Sequence, residues 1–160
     1  MPEIVCNTTP LQYLHQTGVL PILPAMYGRI LVPRAVADEI GVGLAAGVDL
    51  PDLAALPWIE IRDIARSPWP VPRDIHRGEA EVIALAGSLG DAKMILDDLA
   101  ARRHARLLGL GFTGTPGVLL KAKNAGLIEA LLPLVARMEE LGFHLAEPTR
   151  IEFLNLAGES

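Results

Sequence analysis

Gly78-Glu79-Ala80-Glu81-Val82-Ile83-Ala84-Leu85-Ala86, followed closely by Lys93-Met94-Ile95-Leu96-Asp97-Asp98, is the stretch from which the rest of the chain is read. Val82, Ile83, Ala86 and Leu89 recur at helical spacing and mark an inward stripe. Glu79 stands three and four residues before Val82 and Ile83, so it shares that stripe one turn earlier. Glu81 is rotated about 200° away and is expected to face solvent. The second piece is a short apolar run of strand type that ends abruptly on two aspartates. An acid on the core side of a helix, close to a strand end carrying more acid, calls for a chemical explanation.

The 160 residues suit one domain, 1–160, with a core of its own, and 143–160 reads as a peripheral tail. Apolar residues make up 51% of the chain and the mean hydropathy is +0.35, yet charges interrupt every apolar run. None approaches the roughly 18 residues of a membrane span. Glu3 near the start and the lack of a basic segment before an apolar one argue against a signal peptide. The single cysteine, Cys6, excludes an internal disulfide and suits a reducing cytoplasm. A net charge of −5 provides no whole-surface attraction for nucleic acid, although a local basic patch stays open.

Outward from the central stretch, strand-like runs alternate with helical ones. Glu3–Cys6 is a strand candidate; Thr9-Pro10 reads as a helix cap followed by proline, and that helix stops at Gly18. A proline-broken apolar piece spans Val19 to Met26. Arg29–Val32 is the next strand, and Pro33 opens a helix with Val36 and Ile40 inward and Glu39 at the edge of the stripe. Trp58–Ile61 alternates like an exposed edge strand, and the proline-rich segment 67–72 can only be a connector. Leu99–Leu108 is expected as a helix with Arg102, Arg103 and Arg106 exposed. Phe112 lies in a short strand; Thr115-Pro116 repeats the cap-plus-proline start, with Val118, Leu119, Ala122 and Leu127 marking the helix that follows. Another helix runs from Leu131 to Met138, and Ile151–Leu156 fits helix or strand equally. Strands alternating with helices imply βαβ units and a parallel sheet, an α/β fold.

In an open parallel sheet, sites form beyond the carboxyl ends of the strands. Asn7, Glu79, Asp97 and Asp98 fall there or on the following helix, and Glu39 can reach the same edge. Mg2+ and Mn2+ are hard cations that take oxygen ligands, and clustered carboxylates would hold one against a phosphate. Each acid also has a structural reading. Asp97 can cap a helix starting at Asp98, while Asp98 and Glu79 suit the positive end of a helix dipole. Glu39 can be a solvated helix residue, and Asn7 a simple cap. The joint placement after successive strands carries the chemical reading.

Ile4–Leu11, Val32–Ile40, the Gly78-Glu79 helix, Ile95–Asp98 and Gly114–Lys123 together resemble PIN-domain proteins, specifically a VapC-like ribonuclease branch, in order along nearly the whole chain. The resemblance implies a metal-dependent endoribonuclease with Glu39, Glu79 and Asp97 as its acids and Asp98 as an adjacent ligand. Asn7 stands where the family's nucleases usually carry aspartate, so one metal ligand here is neutral. Thr8 and Thr9 resemble hydroxyl positions flanking the first acid. Arg102, Arg103, Lys121 and Lys123 are candidates for the phosphate backbone of RNA. A protein antitoxin and a homodimer, formed through apolar faces of the late helices, are further implications. The reading left open beside this one is a non-catalytic PIN-fold protein that binds RNA or a protein partner, because of Asn7.

Overall fold

Short apolar runs bounded by Gly, Pro and polar residues pair here into one parallel sheet, as the computed structural model shows for residues 2–64, 67 and 69–159. The strands are β1 (Glu3–Cys6), β2 (Ile30–Pro33), β3 (Ile59–Arg62), β4 (Ala92–Ile95) and β5 (Gly111–Thr113), in the order β3-β2-β1-β4-β5. Every pairing is parallel, with Val5 opposite both Leu31 and Met94. β1, β2 and β4 bring fully buried Val, Ile, Leu and Met to the core, as strands covered on both faces must. The alternating run ending at Ile61 is indeed the edge strand, half-buried throughout. Arg62 and Glu60 pair along it.

The helices are α1 (Thr8–Gln16), α2 (Ile22–Tyr27), α3 (Arg34–Ala45), α4 (Arg77–Leu89), α5 (Leu99–Leu107), α6 (Thr115–Asn124), α7 (Leu132–Glu140) and α8 (Glu147–Leu156). None among the described residues is long and apolar enough to cross a membrane. The central stretch forms α4, which packs on β1, β2, β4 and α3. Val82 through Ala86 are all buried, so its middle is covered nearly all round rather than along one stripe. Each of Val82, Ile83 and Leu85 contributes about 1.5–3 kcal/mol by leaving water.

The chain winds from β1 outward to β3, then returns to place β4 on the other side of β1. The order therefore reverses between β1 and β4, and the crevice at such a switch point is where open α/β sheets bind ligands. The Asn7 N–H donates to the Ile95 carbonyl at 3.2 Å, and the Leu96 N–H to the Thr113 carbonyl at 2.8 Å. These two bonds extend the sheet by one residue and bring Asn7 and Asp97 out at neighbouring strand ends.

Several local expectations are corrected. α1 begins at Thr8 with Asn7 in the capping position, so Thr9 is inside the helix and Pro10 is in its first turn. α6 is capped by Gly114, not Thr115, because the Thr115 side chain is turned to Asp97. Leu127 lies beyond the end of α6 and is exposed. Residues 151–156 are helical. Glu81 is only 20% exposed, and its Oε1 accepts the Ala35 N–H at 2.9 Å, covering a free donor at the start of α3. The segment 143–160, expected at the periphery, adds Phe153, Leu154 and Ala157 to the core. Its Glu159 carboxylate, itself 14% exposed, accepts the Leu131 and Leu132 N–H groups and the Lys123 ammonium. Of the proline-rich connector, residue 68 lies outside the described residues.

Candidate functional site

Asp97 follows β4 directly, where the ladder ends and the chain turns into α5. Its Oδ1 accepts the Thr115 N–H at 2.7 Å and its Oδ2 the Thr115 hydroxyl at 2.5 Å. The start of α6 thus holds the carboxylate by two bonds, which a carboxylate near a helix N-terminus favours. Burial pushes the Asp97 carboxyl above its ordinary pKa; the Thr115 bonds and the Arg102 charge pull the other way. Gly114 makes this approach possible, since a methyl group there would lie 2.8 Å from Asp97 Oδ1.

A cleft of about 670 Å3 opens over this point. Glu79 from the first turn of α4, Asp97, Asp98 and Arg102 line it, together with Thr9. Asp98 caps α5, its Oδ2 accepting the Ala101 N–H at 2.9 Å, so the cap belongs to Asp98 rather than Asp97. Arg102, expected on an exposed face, is half-buried, with its guanidinium carbon 4.9 Å from the Phe112 ring centre. Its Nε is buried without a hydrogen-bond partner among the described residues.

Glu39 does not line this cleft. The Thr8 hydroxyl donates to its Oε2 at 2.6 Å, and its carboxylate lies against the backbone of Gly78, where any side chain would overlap it. It borders a shallower groove with Asp38 and Arg77. The structure thus brings Glu79 and Asp97 to one cleft and leaves Glu39 beside it. Among the described residues, no three acidic, histidine or cysteine side chains gather as a metal-binding group. Asn7 is 2% exposed and its Oδ1 has no hydrogen-bond partner among the described residues, an acceptor left without a donor at the end of β1.

A magnesium-like ion needs only one or two protein carboxylates, with water and substrate phosphate completing its shell. Asp97 and Glu79, which line one cleft, suit an ion held partly through water; Asn7, just beyond β1, is not among the residues lining that cleft. They do not form a closed three-acid cage.

The basic candidates divide as well. Arg103 pairs with Asp74 at 3.8 Å. Lys121 lies over the Tyr27 ring at 4.6 Å. Lys123 is committed to the Ala157 carbonyl and Glu159, both at 2.6 Å, and is spent on holding the C-terminal segment. Only Arg102 of these four lines the cleft. Thr115, Gly114 and the cleft-lining residues 142–146 carry no site signal in the sequence. A glycine and threonine just after a strand gave a cap signal, and nothing local tells a cap from a carboxylate clamp.

An all-parallel sheet of this order, with an acid-lined cleft where its winding reverses, defines a PIN-like α/β domain. The chain belongs to the PIN-domain family: the family DUF3368, described as a PIN domain, matches residues 3–159. It is similar in fold to the solved structure of a PilT N-terminus domain protein from the hyperthermophilic archaeon Sulfolobus solfataricus P2. That likeness has a TM-score of 0.56 at 20% identity and covers 74% of this chain and 92% of that one. No curated protein matches the chain.

Proposed function

We propose that this chain is a Mg2+- or Mn2+-dependent endoribonuclease that hydrolyses RNA phosphodiesters in the cleft beside β4. The observation that carries the reading is Asp97, a half-buried carboxylate at the switch point, aligned by Thr115 and sharing an open cleft with Glu79 and Arg102. Asp97 and Glu79 would hold the ion, with the Asn7 amide as a neutral contributor. When bound, the ion supplies an activated water and offsets charge in the transition state. Thr115 keeps Asp97 in one orientation, and Arg102 binds a phosphate oxygen at the cleft wall. Glu39 supports the site from outside through Thr8. Of the VapC-like kind, the protein would act in the cytoplasm with an antitoxin partner. It would dimerise through the late helices, where Leu132, Ile151 and Leu156 are exposed.

A second reading, a PIN-fold protein that binds RNA without cutting it, is favoured by one observation: Asn7 is neutral in a site whose acids do not gather. Calorimetric titration with Mn2+ and cleavage of RNA oligomers, on wild type, Asn7→Asp and Asp97→Asn, separate the two. The nuclease reading expects weak Mn2+ binding and cleavage by wild type, tighter binding by Asn7→Asp, and loss of both with Asp97→Asn. Absence of binding and cleavage in wild type refutes it, and their appearance in Asn7→Asp alone establishes the second reading.

A further inference from the structure

One part of the cleft wall is built by residues with no part in holding an ion. Tyr13 from α1 and Phe143, just after α7, meet edge to face with ring centres 5.1 Å apart and planes at 80°. Both line the cleft, and both are half-buried against the core, so their orientation is set before anything binds. Gly142, whose φ of 108° favours glycine, turns the chain just before Phe143. Around the rings, Gln12, His144 and Thr149 also line the cleft. Among the described residues their side chains make no hydrogen bonds, which leaves an amide, an imidazole and a hydroxyl free. The wall therefore combines aromatic surface with mixed donors and acceptors, and Asp97, Glu79 and Arg102 line the same cavity.

We propose that the Tyr13–Phe143 wall is a nucleobase subsite of this cleft. A base has an apolar face for the rings and a polar edge for the amide, imidazole and hydroxyl. Its phosphate would then reach the Arg102 and Asp97 part of the cleft. In an A-form duplex the base faces are stacked away, so only an unpaired base can enter. The chain's charge points the same way. With 14 Lys and Arg against 19 Asp and Glu, phosphate attraction alone holds RNA weakly. Affinity must then come from contacts to bases. A volume of about 670 Å3 is within the range of sites that enclose a small ligand, and accommodates a nucleotide.

This subsite rests on the ribonuclease reading for its purpose, but its test does not. Fluorescence anisotropy in EDTA would compare a short single-stranded oligoribonucleotide with an abasic ribose-phosphate chain of equal length, on wild type and Phe143→Leu. Leucine keeps the apolar contact with the core and removes the ring, and a thermal melt verifies the fold. Wild type should prefer the base-bearing strand by about five- to one-hundred-fold, the range of base–aromatic stacking. Phe143→Leu should lose most of that preference. Equal affinity of wild type for the two strands, no binding of either, or a Phe143→Leu variant that keeps the full preference overturns the subsite. Base-dependent binding without Mn2+ binding or cleavage leaves the subsite standing and removes the nuclease. Cleavage without base preference does the reverse.

Discussion

Gly78 and Gly114 each stand against a carboxylate, yet replacing them with alanine should move stability by very different amounts. At Gly114 the added carbon would lie 2.8 Å from Asp97 Oδ1 and 3.3 Å from Arg102 Nη2. Asp97 cannot swing aside without loss, because both its oxygens are engaged by Thr115. The clash forfeits a hydrogen bond to a charged group, about 1.5–3 kcal/mol. Alanine is also a poorer cap than glycine for α6, by about 0.5–1 kcal/mol. Lower entropy of the unfolded chain returns about 0.4–1 kcal/mol. Gly114→Ala should therefore lose about 1–3.5 kcal/mol. At Gly78 the added carbon would overlap the Glu39 carboxylate, but Glu39 is an exposed side chain held mainly by the Thr8 hydroxyl. It rotates into solvent and gives up an exposed bond of about 0.5–1 kcal/mol. Alanine within α4 gains about 0.5–1 kcal/mol in return. Gly78→Ala should thus stay within about 0.5 kcal/mol of wild type. Urea unfolding followed by the fluorescence of Trp58 and Trp69, with unchanged m-values, measures both. A Gly114→Ala protein as stable as wild type, or a Gly78→Ala protein less stable than it, would refute the account of Asp97 as the immovable group.

Removing the carboxylate that caps α3, with Glu81→Ala, should lower unfolding free energy by about 0.5–2 kcal/mol in the same urea assay. A Glu81 that merely faced solvent would cost nothing measurable. The Glu159 carboxyl is held down to about 2 by the Lys123 ammonium and by the Leu131 and Leu132 N–H groups, against an ordinary value of 4.5. Its contribution is complete above about 4.5 and disappears as pH falls towards 2. Wild type should thus lose stability through that window relative to Glu159→Gln, the two converging in acid; parallel melting temperatures across it would contradict the assignment.

How much of this was legible along the chain depends on the range of the forces involved. The helix α4, the edge character of Trp58–Ile61 and the acid pair closing β4 follow from periodicity and from where apolar runs stop. Each is a matter of a few neighbouring residues. Glu81 failed that treatment: it is rotated about 200° from Glu79, but the direction expected to be solvent holds the start of α3, 46 positions away in sequence. Thr115 failed for a related reason, since a cap signal describes its own turn and carries no information about Asp97. Arg102 and Lys123 looked alike as helix cations, and only the position of Phe112 and Glu159 separates a cleft-lining guanidinium from a structural ammonium.

By itself the sequence determined the α/β alternation, the parallel sheet and the presence of oxygen-bearing side chains at its rim, because hydrophobic period and strand length are local properties. Tertiary structure alone decided that Glu79 and Asp97 share a cleft while Glu39 turns to Thr8, and that Tyr13 meets Phe143 across 130 positions. Those outcomes depend on which helix ends come to lie together once the sheet reverses its winding. No pattern within a single element encodes that.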